Sequence, residues 1–122
     1  MWFSPPTTTT RARGATVEVQ AESWLKRQGF KPVTRNYLIR GGELDLVMRD
    51  GDVLVFIEVR YRRTTEHGSG AETITARKQQ RLRRAARHYL QTHFGNREPD
   101  CRFDVISASG EPVVFEWIRN AF

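Results

Sequence analysis

"GELDLVMRDGDVLVFIEVRYRR", residues 42–63, decides how this chain is read. Two apolar runs, Glu43–Met48 and Val53–Tyr61, flank Arg49-Asp50-Gly51-Asp52, the pattern of a β-hairpin closed by a tight turn. Strand alternation puts Val53, Val55, Ile57, Val59 and Tyr61 on one face of the second run. Leu54, Phe56, Glu58, Arg60 and Arg62 take the other face. That face begins apolar and turns charged halfway along, as in a central strand whose end leaves the core for a cleft.

Asp45, between Leu44 and Leu46, interrupts the first run, and the hairpin brings it near Glu58 across the ladder. Burying a carboxylate is costly unless it is paired or bound to a cation. Two neighbouring carboxylates repel unless a proton, a base or a cation separates them. Oxygen-rich sites of this kind suit Mg²⁺ or Mn²⁺, which also engage phosphates. A plain ion-pair reading fits the spacing equally well, with Glu58 against Arg60 or Arg62 and Asp45 against Arg40.

Outward from the hairpin, Val17, Ala21, Trp24 and Leu25 form one apolar stripe of a helix between Gly14 and Gly29, with Gly29 as its C-terminal cap. Asn36–Arg40 reads as a short strand entering the Gly41-Gly42 turn. Residues 62–73 are polar and glycine-containing, hence a loop. Thr75 is the N-cap expected for a helix running to about Thr92. Arg102–Ala108 and Pro112–Ile118 are two closing strands around Ser109 and Gly110. The order α-β-β-β-α-β-β describes an α/β domain, a five-stranded mixed sheet flanked by two main helices. Only the crossover through the second helix permits a parallel neighbour.

A chain of 122 residues is one domain, and its hydrophobic fraction of 39% is that of a folded protein. The segment "MWFSPPTTTTRARG" reads as a disordered leader over residues 1–13, ahead of a domain at 14–122. Twenty Lys and Arg against 14 Asp and Glu give a net charge of +6, which favours phosphate-rich partners, nucleic acid or an anionic surface. The single cysteine, Cys101, excludes an internal disulfide and a cysteine metal cluster, as in a reducing cytoplasm. No apolar run reaches the length of a membrane span, so no membrane role is expected.

On the second helix Leu82, Ala85, Ala86, Tyr89 and Leu90 define the inward face, and Lys78 falls at its edge in the first turn. Arg77, Arg81, Arg84 and His88 make a basic ridge on the opposite stripe, either a phosphate-tracking surface or a solvated face. His67, His88 and His93 share no metal-ligand spacing, and Glu72 reads as a helix-entry residue. Asp104 is expected to pair with Arg102, and Trp24 and Trp117 to lie in the core.

"GGELDLV" with "VFIEVRYR" resembles the YraN family of small bacterial proteins. "GATVEVQAESWL", "ARKQQRLRRAARHYL", "CRFDVI" and "EWIRNAF" extend the likeness over nearly the whole chain. The resemblance implies a restriction-endonuclease-like fold with a PD-(D/E)xK-type site, similar in layout to archaeal Holliday-junction resolvases. By that likeness Asp45 and Glu58 are the motif's acids, Arg60 stands at its lysine, and Glu18 matches a further acidic position. It implies Mg²⁺ (or Mn²⁺) held by Glu18, Asp45 and Glu58, and hydrolysis of phosphodiester bonds in DNA, branched or junction DNA included. Arginine stays protonated and cannot act as a general base, so Arg60 departs from the pattern. Lys78, aimed at the sheet, is a candidate relocated lysine; the alternative is that its ammonium turns outward to water. A nuclease is thus expected first. A nucleic-acid-binding module without catalysis comes next, and an interaction protein with a structural acidic pocket last. Junction cutting needs two sites, for which a symmetric homodimer is the sensible form.

Overall fold

The computed structural model describes residues 10–62 and 74–122, with side chains from Thr16 onward in the first stretch. The expectations for residues 1–9, His67 and Glu72 lie outside the described residues. Seven elements follow one another: α1 (Thr10–Arg27), β1 (Lys31–Ile39), β2 (Gly42–Asp50), β3 (Val53–Arg62), α2 (Ala76–Phe94), β4 (Cys101–Ser109) and β5 (Val114–Ile118). The expected α/β order is present. The first helix starts at Thr10, four residues inside the stretch read as a leader, because Arg11, Ala12 and Arg13 are good helix formers and Gly14 only weakens the turn it sits in.

The strands line up in the order β1-β2-β3-β4-β5, with β3 and β4 parallel and every other pair antiparallel. The chain spans α2 between the two parallel strands, as the crossover rule requires. β3 is the central strand, and Leu54 through Glu58 are all buried. Its two faces serve two cores. Val55 and Ile57 join Ala21 and Leu25 of α1, Leu46, Met48 and Ile106 on one side. Leu54 and Phe56 join Leu82, Ala85, Ala86 and Tyr89 of α2 on the other. These are the helix faces that the spacing of apolar residues predicts. α1 ends where Gly29 takes φ +101°, and the Phe30 amide bonds back to the Leu25 carbonyl at 3.1 Å.

β1 is nine residues long, against five expected, because Lys31–Arg35 pairs with β2 although none of its side chains is buried. Pairing to a neighbour, invisible to hydrophobic periodicity, makes it a strand. Asp104 pairs with Arg102 as expected, at 3.0 Å, and is fully buried. The same carboxylate also accepts from Trp117 Nε1 at 2.9 Å and the Asn120 amide at 3.0 Å, so it pins the chain beyond β5 to β4. Trp24 and Trp117 sit edge to face, centroids 5.7 Å apart, packed on the α1-side core as expected.

The approach of α2 to the sheet depends on Gly42. A Cβ there would lie 2.6 Å from the Arg81 carbonyl oxygen and 3.0 Å from the Ala85 nitrogen, both backbone atoms of α2. Gly42→Ala is therefore expected to lower stability by about 1–3 kcal/mol, read from urea unfolding, by levering the helix off the hairpin.

Candidate active site

Asp45 of β2 has an acid on either side of it where β2 and β3 part, Glu18 of α1 and Glu58 of β3. The β2–β3 ladder runs from Asp50↔Val53 to Leu46↔Ile57 and stops there. Asp45 and Glu58 are adjacent as the hairpin reading expects, but they lie just past the last rung. In that gap Asp45 Oδ2 accepts a hydrogen bond from the Val59 amide at 2.9 Å, a side chain standing where a strand carbonyl would. Its carboxylate also lies within hydrogen-bonding reach of Glu18, on α1, and of Glu58, on β3.

The first turn of α2 closes the site from the other side. Thr75 caps the helix, its Oγ1 accepting from the Lys78 amide at 3.1 Å. Lys78 Nζ lies 3.4 Å from Glu58 Oε2 and 3.7 Å from Glu43 Oε1, so the ammonium turns to the acids and not outward. Glu43 also meets Arg81 at 3.6 Å. An open cavity of about 400 Å³ is lined by Glu58, Val59, Arg60, Tyr61, Thr75 and Lys78. Arg60, on the same face of β3 as Glu58, lines the same cavity.

Glu58 is 5% exposed, and its Oε1 has no hydrogen-bond partner among the described residues. Burial first, and the Asp45 carboxylate second, push its pKa up to about 8, against a smaller pull down from Lys78. The same two causes, with Glu43 adding to them, push Glu18 up to about 7. A cation among these oxygens would reverse both shifts.

Among the described residues no three His, Cys, Asp or Glu side chains converge to hold an ion as they stand. Mg²⁺ does not require that. It commonly takes one or two carboxylates and completes its shell with water and substrate phosphate. The hard oxygen donors, the crowded charge and the unpartnered buried Oε1 fit such an ion at Asp45 and Glu58, with Glu18 beside Asp45.

The basic ridge is less open than its spacing suggests. Arg81 pairs with Glu43, Arg84 donates to the Gly41 carbonyl at 3.1 Å, and His88 Nδ1 lies 2.6 Å from Tyr37 Oη. Three of its four residues are tied to the β1–β2 hairpin, while Arg77, Arg84 and His88 remain exposed. The exposed Arg87 adds to this surface, and Arg83 stacks over Phe103 and Phe122. Sequence reasoning passed over Glu43, Tyr61 and Thr75 as site residues. Glu43 was the one with a signal, an acid two residues before Asp45 in the same run.

The family described as "Uncharacterised protein family UPF0102" matches residues 17–108. The chain belongs to the UPF0102 family. UPF0102 proteins from three bacteria show how close the relation is. That of Aeromonas hydrophila subsp. hydrophila is 50% identical over 112 residues, 91% of this chain and 85% of the relative. That of Xanthomonas campestris pv. campestris is 51% identical over 110 residues, 90% of each chain. That of Chromohalobacter salexigens is 52% identical over 114 residues, 92% and 91% of the two chains. The UPF0102 match takes in Glu18, Asp45, Glu58, Arg60, Lys78 and the whole of α2, and ends before β5. No described helix of this UPF0102 protein is long and apolar enough to cross a membrane.

Proposed function

We propose that this UPF0102 protein is a metal-dependent endonuclease that hydrolyses phosphodiester bonds in DNA, with a site of the PD-(D/E)xK type. The observation that carries the reading is the placing of Asp45 between Glu18 and Glu58, acids from three separate elements, beside Lys78 and a cavity lined by Arg60. Such a cluster destabilises the fold unless a proton, a base or a cation separates its charges, and cations at carboxylates beside basic groups handle phosphates.

Asp45 and Glu58 would hold Mg²⁺ or Mn²⁺, with Glu18 adjoining. When bound, the ion polarises the phosphate and lowers the pKa of water. Arg60, in the lining of the cavity, would stabilise the charge that grows on the phosphate oxygens. Lys78 Nζ, held by Glu58 and Glu43, orients the attacking water or neutralises the same charge. The N-terminus of α2 adds a partial positive charge at the same end of the cavity. Arg77, Arg84, Arg87 and His88 offer a sequence-independent track for the backbone of the nucleic acid.

The test is cleavage of labelled four-way-junction, flap, duplex and single-stranded DNA with Mg²⁺, with Mn²⁺ and with EDTA. Cutting of at least one substrate, lost in EDTA, is the expected result. Binding that survives EDTA with no cutting of any substrate would overturn the nuclease reading. It would leave a nucleic-acid-binding module, the alternative that Arg60 at the lysine position favours.

A further inference from the structure

Two reversals of strand alternation face one another beside the acids. In β1, Arg35 reaches α1, its Nε 3.3 Å from Glu22 Oε1. Tyr37, only two residues on, packs edge to face against Tyr89 of α2. In β2, Leu46 belongs to the α1-side core and Leu44 to the α2-side core. A regular strand keeps residues i and i+2 on one face. Both strands therefore turn over between the pairs Arg35↔Leu46 and Tyr37↔Leu44. The residues inside that interval are Asn36 and Asp45.

Asn36 has φ +53°, in the left-handed region. Asparagine visits that region more readily than other residues with a Cβ, and β-branched residues visit it least. Its side chain is exposed, so the packed core does not demand its identity. On an unbroken strand the Asp45 side chain would stand off one face of the sheet, towards α1 or towards α2. Here it lies in the gap between β2 and β3, bonded to the Val59 amide and within reach of an acid from each side.

We propose that Asn36 is a positioning residue for this site, its left-handed backbone turning the hairpin over so that the Asp45 carboxylate enters the sheet gap and bridges Glu18 and Glu58. The role matters for catalysis only if the acids are the working site, as proposed above, so the test begins with a readout that needs neither metal nor substrate. Amide hydrogen exchange at Val59 reports whether Asp45 still holds its bond. The amides of the regular β2–β3 ladder serve as an internal control.

Asn36→Gly, which adopts positive φ freely, keeps the parent's Val59 protection and Mn²⁺ affinity. Asn36→Ala speeds Val59 exchange several-fold and Asn36→Val about tenfold, relative to the ladder amides, in order of their aversion to that conformation. Mn²⁺ affinity falls in the same order. Parental Val59 protection in Asn36→Ala would overturn the proposal, as would acceleration shared equally by the control amides. Should Asn36→Val fail to fold, the Gly and Ala pair decides. If Val59 protection follows the series while even the parent fails to bind Mn²⁺, the positioning role stands and the metal-dependent reading falls.

Discussion

Asp45→Asn is expected to reduce metal-dependent cleavage by about a thousandfold or more, a loss of about 4 kcal/mol of transition-state stabilisation. The amide has the shape of the acid, and its oxygen can still accept from the Val59 amide, so circular dichroism and the unfolding midpoint should change little. What it removes is the charge at the centre. Glu18 and Glu58 both owe part of their raised pKa to Asp45, and both should move back towards the usual carboxylate range in the variant. This combination, an intact and even relaxed protein without activity, separates a functional acid from a structural one. Cutting by Asp45→Asn at the parent's rate would remove Asp45 from the site.

The second large effect is on stability against pH. Glu58 has a pKa of about 8 in the folded protein against 4.5 as its ordinary value. Between those values the folded chain binds more protons than the unfolded one, so stability falls as pH rises. The slope is at most about 1.4 kcal/mol per pH unit for one group. Glu18, raised to about 7, pushes in the same direction over its own range. Thermal unfolding of the metal-free protein from pH 5 to pH 8.5 should show the decline, and Glu58→Gln should flatten it. Mn²⁺ at a hundred times its dissociation constant should restore about 2.7 kcal/mol at the alkaline end in the parent and almost none in Asp45→Asn. A flat profile in the parent would mean that the acids are better solvated than their burial implies.

Most of this architecture can be read from residue order. The Asp50–Val53 hairpin, the buried run of β3 and the inward face of α2 follow from alternation, turn chemistry and helical period, which are local properties. Lys78 could be aimed at the sheet for the same reason, since its angle on the helix follows from Leu82, Ala85 and Ala86. The Asp104–Arg102 pair was legible because the two residues share a strand face. Its further bonds to Trp117 and Asn120 were not, because they depend on how the last segment folds back. The same limit applies to β1, whose first half is a strand only by pairing with its neighbour. It applies most to Asp45. Alternation places it on a face, whereas its proposed function depends on leaving the faces altogether, and nothing in the side chain of Asn36 announces its backbone angle.

The parallel ladder from Leu54↔Cys101 to Arg62↔Ser109 bears on how the molecule assembles. β1, β2 and β3 form a meander of short loops that can zip from its turns, while β3 and β4 can meet only after the chain has spanned α2. Contacts so far apart along the chain are slow to form, because the entropy of closing the loop is lost before any rung is gained. Closure of the central ladder is therefore the step expected to pace folding, to be checked by stopped-flow refolding. Before it, β3 is one open edge of a three-stranded ribbon, carrying a bare row of backbone donors and acceptors. A chain delayed at that stage would expose an adhesive strand, so the conditions that slow docking of β4 are those under which this small basic protein is expected to self-associate.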